Sequence, residues 1–394
     1  MKQVDGLVVL TFFDWDGLWH GCQFYARGLA ASGWPTLYVE PRPLWNATDP
    51  AFNARALRQA FLGSALRAAG PNLHVLRPRA LPFGSVEAVR RLSQRLFRHD
   101  VHAACAALGI SRPVYSVAYY AHCVEDLQLL GADRVLYRCI DDIQNDEEQA
   151  LCRGADLVFV CHRAVLESKR PLNRHAHLLP NGCDFEQLTR LVIDDSIFAG
   201  IPRPRVGMSG MLDHWVNYAW LLALARHRPD VSLVLIGPVR RWRPDVAELS
   251  NAEAFEALRS LPNVHWVGEK LGDKFTAALQ ALDVALIAFT DTPFNRGRDP
   301  LKLYQYLAVG LPMVTSPLSG FPSLPPGVLA AHTAEEFCTR VDEALSSGAK
   351  IGREARIDFA RESDWRGRVR AADALLRQQF ALIAPRTVAS VQHA

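Results

Sequence analysis

Residues 299–314 constrain this chain more than any other stretch, because they combine a loop, a short helix and a buried strand. Pro300 closes the loop, and Gly310 ends the predicted helix. Lys302 and Gln305 lie one turn apart on that helix. The N–H groups at a helix start beside a parallel sheet suit an anion. We therefore predict that a nucleotide-sugar diphosphate binds here, and the alternative is an ordinary amphipathic helix with a solvated lysine.

Length and composition predict two soluble domains. The 394 residues exceed the roughly 250–300 at which one hydrophobic core stops growing. Charged residues make up 22% of the chain, and no apolar run approaches the roughly 18–20 residues of a membrane span. The N-terminus lacks the pattern of a secretory signal, so we expect a cytoplasmic protein. A net charge of +3 does not by itself indicate nucleic-acid binding, and none is expected.

The cysteine pattern argues against a metal or redox centre. The eight cysteines are scattered without the close pairs of zinc sites and redox motifs. They are most simply buried thiols in a reducing compartment.

The first half of the chain opens with a βαβ pattern. An apolar run at 6–13 predicts a buried parallel strand, and a helix over 22–32 and a strand over 36–39 follow. The loop 14–21 therefore lies at the carboxyl end of a strand, where open α/β sheets place their ligands. Further strands are predicted at 113–119, 134–137, 157–161 and 177–179.

Two adjacent carboxylates, Asp141 and Asp142, follow the strand that begins at Arg134. A neighbouring like charge and partial burial can raise a carboxyl pKa toward working pH, so this pair could provide a general base. Equally, either aspartate could cap the helix predicted over 145–152.

A second βαβ domain is predicted to begin near residue 203, after a proline-containing linker at 194–204. Gly210, in the turn after its first strand, leaves room for a phosphate close to the backbone. The predicted elements are strands at 205–208, 231–236, 264–267 and 284–289 and helices at 216–226, 273–282, 334–346 and 365–382.

Two basic stretches, near 52–69 and 86–104, predict amphipathic helices. Helices of this kind can lie on an anionic bilayer surface, which predicts a peripheral membrane contact. The alternative is that their apolar stripes pack on the domain and the arginines are solvated.

The order of motifs along the chain resembles the GT-B glycosyltransferases, and in particular bacterial sugar transferases that build surface polysaccharides. The similarity spans residues 6–380, and the motif at 300–312 is the most specific. The motifs are residues 19–23, 29–33, 38–41, 159–161, 179–184, 206–211, 235–238, 263–268 and 300–312.

This resemblance implies an α/β fold with two Rossmann-like domains whose parallel sheets face a central cleft. Residues 1–200 would bind the acceptor and residues 201–370 the nucleotide sugar, which we expect to be a UDP-sugar. Residues 371–394 would form a C-terminal helix and tail, which could pack back on the first domain. The acceptor would be a saccharide or a lipid-linked saccharide, and the enzyme would work in the cytoplasm or on the inner face of the membrane.

The resemblance also implies a donor site in the second domain. Lys302 would meet the diphosphate, and Gln305 the ribose or a phosphate edge. The implied donor-binding residues are Gly210, Met211, Gly268, Glu269, Lys270, Arg298, Pro300, Leu301, Lys302 and Gln305.

In the first domain, residues 137–141 are similar to the glucuronosyltransferase of xanthan assembly, whose matching aspartate is the proposed base. This points to Asp141, with Asp142 and His20 as further catalytic candidates. The acceptor is expected to contact Asp16, Trp19 and His20. A packed, hydrogen-bonded histidine is the alternative interpretation of His20.

The sequence also departs from the family pattern. Gly297 and Gln305 stand where many retaining members carry two glutamates, and this favours an inverting displacement. No Asp-x-Asp motif lies near the proposed diphosphate, since Asp14 and Asp16 belong to the acceptor half. No metal or other cofactor is therefore expected. A non-catalytic subunit that binds a sugar nucleotide or a glycan, and a sugar-nucleotide epimerase or hydrolase, are the alternative functions.

Overall fold

The computed structural model describes residues 1–383 except 43–56, 58–62, 82–85, 121, 142, 144, 195, 240–248, 297, 319–320, 322 and 347–351. The chain divides into two compact units. Unit 1 comprises residues 1–161, 165–179 and those from 368 onward, and unit 2 comprises 162–164 and 180–367. The division near 180 precedes the boundary expected at residue 200, because Cys183 already forms a β-bridge with Asp364 of unit 2.

Strands and helices are numbered along the chain. The strands are β1 (Lys2–Val4), β2 (Gly6–Leu10), β3 (Thr36–Val39), β4 (Ala65–Gly70), β5 (Leu73–Arg77), β6 (Pro113–Ala118), β7 (Val135–Cys139), β8 (Leu157–Val160), β9 (Ala176–Leu178), β10 (Arg205–Ser209), β11 (Ser232–Ile236), β12 (Val264–Trp266), β13 (Val284–Ile287), β14 (Met313–Thr315), β15 (Val328–Ala330) and β16 (Phe380–Leu382). The helices are α1 (Gly21–Ala31), α2 (Glu87–Ala107), α3 (Cys123–Leu130), α4 (Asp146–Gly154), α5 (Arg163–Lys169), α6 (Phe185–Thr189), α7 (Tyr218–His227), α8 (Leu249–Arg259), α9 (Gly272–Gln280), α10 (Pro293–Arg296), α11 (Leu301–Ala308), α12 (Ala334–Ser346), α13 (Arg353–Glu362) and α14 (Trp365–Gln379).

Unit 1 is built on an eight-stranded sheet in the order β4-β5-β3-β2-β6-β7-β8-β9. Every neighbouring pair is parallel except β4 and β5. All five residues of β2 are buried, as expected for a parallel strand between two helix layers. The end of the chain belongs to this unit, since β16 pairs with β1 and Val369 of α14 packs against Gly28 of α1.

Unit 2 contains a six-stranded parallel sheet in the order β12-β11-β10-β13-β14-β15. The chain runs outward from β10 through β11 to β12 and then returns to the other side of β10 as β13. The strand order therefore reverses at β10, and ligands of open α/β sheets bind at the carboxyl ends of strands at such a point.

Two expectations about the elements need correction, and one helix was not expected. The basic stretch near 52–69 is not one helix, because residues 65–70 form β4, and most of the remainder lies outside the described residues. The last predicted helix ends at Gln379, where β16 begins. Helix α13 was not predicted, because its charged sequence lacks a wide apolar stripe.

The second basic stretch does form a helix, α2, which buries Phe97, Val101 and Ala104 and exposes Leu92. No helix in the described ranges is long and apolar enough to cross a membrane. All eight cysteines are buried thiols, as predicted.

Candidate functional site

In unit 2, the side chain of Lys302 lies against Gly210 at the point where the strand order reverses. Gly210 follows β10 and has a φ of 109°, and Lys302 is in the first turn of α11. A Cβ atom on Gly210 would lie 3.1 Å from Lys302 Nζ and 3.3 Å from Lys302 Cε. The glycine therefore leaves room for the ammonium group directly over the end of β10.

A second glycine, Gly237, completes this floor. It follows β11 and has a φ of 150°. A Cβ atom there would lie 1.9 Å from the carbonyl oxygen of Gly210, whose N–H donates to the carbonyl of Ile236 at 2.9 Å. The ends of β10 and β11 can approach this closely only because Gly237 lacks a side chain.

The ammonium of Lys302 makes no direct ion pair in the described part of the chain. No hydrogen bond or ion pair reaches its Nζ there, which lies 5.1 Å from the centre of the Phe289 ring. The residue keeps some exposed surface, but its amino group lies deep among protein atoms. This burial, together with the charge of Arg298, lowers the pKa of Lys302 to about 7, although Asp213 acts in the opposite direction. A desolvated cation of this kind favours an anionic ligand.

Arg298 supplies a second cation beside Lys302. Its guanidinium lies over two aromatic rings, 4.9 Å from Phe289 and 5.3 Å from Phe294. One of its nitrogens donates to the side-chain oxygen of Asn295 at 3.3 Å. Phe294 in turn stacks on Trp215, with ring centroids 4.5 Å apart. The aromatic cluster thus restricts where the guanidinium can lie.

Tyrosines fix the start of α11. The Tyr306 hydroxyl accepts the Ser209 N–H at 2.7 Å and lies 3.0 Å from the Ser209 hydroxyl. The Tyr304 hydroxyl donates to the buried carboxylate of Asp299 at 2.7 Å. These bonds tie the helix to the end of β10 and to the loop before it, so the position of Lys302 is set from both sides.

The remaining predicted donor residues lie in two places, one around α11 and the end of β10 and the other beyond the end of β12. Pro300 is the N-cap of α11, Leu301 is its first residue, and partly exposed Gln305 lies one turn beyond Lys302. Met211 directly follows Gly210. Gly268, Glu269 and Lys270 lie beyond the end of β12, two strands from β10, or roughly 10 Å at the usual strand spacing. The Lys270 ammonium donates to the carbonyl of Val267 in its own loop.

The site contains three residues that were not predicted from the sequence. Asp213 is close enough to raise the pKa of Lys302, Gly237 forms the floor, and Tyr306 fixes the helix. Only Gly237 carried a signal in the sequence, as part of a Gly-Pro turn after a strand. Gly297, expected to replace a family glutamate, lies outside the described residues.

In unit 1, Asp141 follows β7 at the carboxyl edge of the sheet. Its carbonyl accepts the N–H of Ile143 at 3.0 Å. The N-cap of α4 is Asn145, whose side chain accepts the N–H of Glu148 at 2.8 Å. The alternative in which Asp141 caps this helix is therefore wrong. Asp142 lies outside the described residues.

The expected acceptor residues lie in the loop between β2 and α1. His20 is the N-cap of α1, and its imidazole stacks on Phe13 with centroids 3.7 Å apart. The indole N–H of Trp19 donates to a backbone carbonyl of the same loop at 3.0 Å. Asp16 is largely exposed and pairs with Arg67 at 2.7 Å. Asp16 is therefore accessible, whereas His20 and Trp19 are partly used in packing.

In the described ranges of the chain, no group of three or more His, Cys, Asp or Glu side chains is arranged to hold a metal ion.

Comparisons with known proteins agree with the geometry of unit 2. Residues 203–347 match the family model described as Glycosyl transferases group 1. Residues 203–347, called the group 1 domain below, are thus similar to this family of glycosyltransferases. The group 1 domain contains the whole cluster around Lys302, including Gly210, Gly237 and Arg298.

One sequence relative extends beyond the group 1 domain. The chain is 23% identical over 267 residues to TuaH of Bacillus subtilis, a glycosyltransferase provisionally assigned to teichuronic acid biosynthesis. The alignment covers 60% of this chain and 65% of the relative, slightly less than two thirds of its length.

Solved structures match the chain over nearly its whole length. Sucrose-phosphate synthase from Thermosynechococcus elongatus has a TM-score of 0.66 at 15% identity, covering 96% of this chain and 99% of that one. Trehalose 6-phosphate synthase from Burkholderia multivorans has a TM-score of 0.66 at 14% identity, covering 95% and 98%. The Anabaena protein HepE, in complex with UDP and glucose, has a TM-score of 0.63 at 16% identity, covering 94% and 100%. The chain therefore has the GT-B fold, as predicted, and the segment that matches the family model lies within unit 2.

Proposed function

We propose that this protein transfers a sugar from a nucleoside diphosphate sugar to a hydroxyl group of a saccharide or lipid-linked saccharide. The observation that carries the proposal is the desolvated ammonium of Lys302, held over Gly210 without a direct ion pair among the described residues. A diphosphate is the ligand such a cation favours, and the match to group 1 glycosyltransferases supports a sugar nucleotide. The HepE complex with UDP and glucose supports uridine diphosphate as the nucleotide.

The group 1 domain would bind the donor. The first N–H groups of α11, the Lys302 ammonium and the Arg298 guanidinium would share the charge of the diphosphate. Gln305 would contact the ribose or a phosphate edge, since an amide can both donate and accept. These cations would stabilise the leaving diphosphate, and we propose that the reaction needs no metal ion.

Unit 1 would bind the acceptor and supply the base. The acceptor hydroxyl oxygen attacks the anomeric carbon, its proton passes to Asp141, and the bond from that carbon to the diphosphate oxygen breaks. A single displacement inverts the anomeric configuration. The neutral Gln305, in place of a family glutamate, supports this outcome. Asp142 and His20 are the other candidates for the base, and Asp16 and Trp19 would contact the acceptor.

A lipid-linked acceptor would place the protein on the cytoplasmic face of a membrane. The basic side chains of α2 could then face anionic lipid. Arg90 and Arg91 already pair with Glu87 at 2.6 Å and 2.5 Å, so only part of the positive charge of α2 is available. We expect weak, salt-sensitive binding to anionic vesicles, and no binding to neutral vesicles.

The test of the transfer reaction is release of UDP from UDP-sugars, with and without acceptor oligosaccharides, in buffer containing EDTA. Acceptor-dependent release is expected, with at least a hundredfold loss in Asp141→Asn and unchanged donor affinity. Asp146→Asn, at an exposed position of α4, is the matched control. Full activity in both Asp141→Asn and Asp142→Asn would contradict the assigned base, and activity lost in EDTA would contradict metal independence.

The same assay separates the other functions. A binding subunit, which the neutral Gln305 also fits, would bind UDP-sugars without turnover across the acceptor panel. An epimerase would convert the donor sugar without releasing UDP. A hydrolase would release UDP even when no acceptor is present.

A further inference from the structure

A cavity of about 250 Å³ lies in unit 1 where its strand order reverses, between the ends of β2 and β6. This is the second sheet edge of the chain at which an open α/β fold can bind a ligand. Its walls are apolar and include Leu10, Val39 and Phe97, all of which are buried. None of the expected acceptor residues Asp16, Trp19 and His20 lines it.

The floor of the cavity is a buried ion pair. Asp126 is 2% exposed, accepts a hydrogen bond from Arg42 and accepts another from the Tyr120 hydroxyl at 2.9 Å. The Arg42 guanidinium also lies over the Phe97 ring, 4.3 Å from its centroid. Burial raises the pKa of Asp126, whereas Arg42 and Tyr120 act to lower it. The positive charge of Arg42 is thus already balanced by the carboxylate of Asp126.

Two further polar residues line the cavity. The Glu40 carboxylate accepts the N–H of Trp15 at 3.4 Å, and burial and then Asp14 raise its pKa. His122 has a φ of 72°, a left-handed conformation that residues other than glycine seldom adopt. Its imidazole is about half exposed, with Nδ1 3.5 Å from Glu125. Both side chains can bind hydroxyl groups.

The charges of the lining decide the class of ligand. The two acidic lining residues each have an arginine partner, since Asp126 pairs with Arg42 and Glu40 lies 3.8 Å from Arg67. Arg42 is the single fixed cation among the described lining residues and is already paired, so a phosphate or carboxylate would find no unpaired arginine or lysine in this lining. A neutral sugar fits better, because its ring carbons can pack on the apolar walls while its hydroxyls bond to Glu40 and His122. The volume is below the roughly 300–1,000 Å³ of pockets for drug-sized ligands, which suits one sugar ring.

The position of the cavity relates it to the proposed base. Strands β2, β6 and β7 are consecutive in the sheet, and Asp141 follows β7. At about 4.8 Å per strand, the base lies roughly 10 Å from the β2 side of the cavity. We propose that the cavity is a subsite for a neutral sugar residue of the acceptor, adjacent to the residue that is glycosylated. This inference rests on the proposed function and implies that the acceptor contains at least two sugars.

The first test uses methyl NMR of the full chain, with glucose, galactose, mannose, rhamnose and N-acetylglucosamine as probes. At least one neutral sugar should shift the methyl resonances of Leu10 and Val39 and leave those of Val284 in β13 unchanged. Glucuronate should bind at least tenfold more weakly. Absence of any shift at Leu10 and Val39, or tighter binding of glucuronate, would overturn the proposal.

Variants assign the shifts to the cavity. Glu40→Gln keeps the shape of the side chain and should weaken sugar binding at least fivefold, as should His122→Ala. Glu167→Gln, on the exposed surface of α5, is the control and should bind as the wild type does. Melting temperatures identify any variant that fails to fold. Binding that is the same in Glu40→Gln, His122→Ala and the wild type contradicts the site.

Disaccharides test the distance to the base. Cellobiose, maltose and lactose extend one ring beyond the monosaccharides, so those that bind should also shift the methyl resonances of Ile140 and Ile143, which flank Asp141. Disaccharides that shift Leu10 and leave Ile140 and Ile143 unchanged would overturn the placement next to the base. Titration with UDP, monitored at Leu303 of α11, tests the proposed donor site separately, so failure of one proposal is distinguishable from failure of the other.

Discussion

The carboxylate of Asp299 accepts the backbone N–H of Asn181 at 2.6 Å, and the Asp299 carbonyl accepts the side-chain amide of Asn181 at 2.7 Å. The second carboxylate oxygen accepts the hydroxyl of Tyr304 at 2.7 Å. Asp299 is 7% exposed, so these bonds are shielded from water. The turn at the start of unit 2 therefore holds the loop from which α11, and with it Lys302, begins.

Replacing Asp299 by alanine should weaken both the fold and donor binding. The variant leaves the Asn181 N–H and the Tyr304 hydroxyl without their acceptor, which should lower the free energy of unfolding by about 2–4 kcal/mol. Tyr304→Phe removes one bond and should lower it by about 1 kcal/mol. Denaturant melts and calorimetric titration with UDP measure both effects. Glu253→Ala, at an exposed position of α8, is the control, and an Asp299→Ala protein as stable as this control would contradict the role of the carboxylate.

Lys302→Met should stabilise the free protein while it weakens donor binding. In the folded wild type, burial lowers the pKa of Lys302 from the usual 10.5 to about 7, so keeping this amine charged destabilises the fold. Methionine carries no charge, so the variant lacks this free-energy cost of burying a cation. The gain in unfolding free energy should be up to about 5 kcal/mol below pH 7 and should vanish as the pH approaches the unfolded pKa. Affinity for UDP should fall at least tenfold. Lys274→Met, exposed on α9, should change neither quantity.

Donor affinity should depend on pH through the same amine. A bound diphosphate raises the pKa of Lys302, so above pH 7 binding must add a proton to it. The association constant for UDP-glucose should be flat below about pH 6.5 and then fall by up to about tenfold per pH unit. Calorimetry in buffers of different ionisation enthalpy measures the proton uptake. Lys302→Arg stays charged and should remove this pH dependence, so a slope that persists in this variant would assign it to another group.

The close approach of β10 and β11 predicts opposite effects for two glycine-to-alanine changes. In Gly237→Ala, the new Cβ would lie 1.9 Å from the Gly210 carbonyl oxygen, so the ends of the strands must separate. We expect a loss of about 3 kcal/mol or more in unfolding free energy and weaker UDP binding. Gly154→Ala, at the end of α4 with no atom within 4 Å of the added Cβ, should be neutral or stabilising by about 0.5–1 kcal/mol. Equal melting temperatures for the two variants would contradict the expected clash between a Cβ at position 237 and the Gly210 carbonyl oxygen.

Much of the fold could be predicted because local signals agree with the final structure. The apolar run of β2, and Pro300 and Gly310 around α11, mark their elements through periodicity and backbone preferences alone. β4 could not be predicted in this way, because its strand character depends on antiparallel pairing with β5. β16 likewise depends on pairing with β1, more than 370 residues earlier in the chain.

The candidate site was predictable to a similar extent. Lys302 and Gly210 carried signals of their own, as a polar residue at a helix start and a glycine after a strand. The bond between Tyr306 and Ser209 joins residues 97 positions apart and follows only from the packed register of α11 against β10. The cavity beside Asp126 was missed for the same reason, since Arg42 lies 84 positions from its partner.

The pairing of β1 with β16 makes unit 2 an insertion within unit 1. Unit 1 is a discontinuous domain, and no single cut in the chain yields both units with all of their elements. A fragment ending near residue 179 would lack β16 and the segment of α14 that packs on Gly28, where a Cβ would meet Val369 at 2.3 Å. Proteolytic removal of the C-terminal segment should therefore lower the melting temperature of unit 1, although that segment follows unit 2 in the sequence.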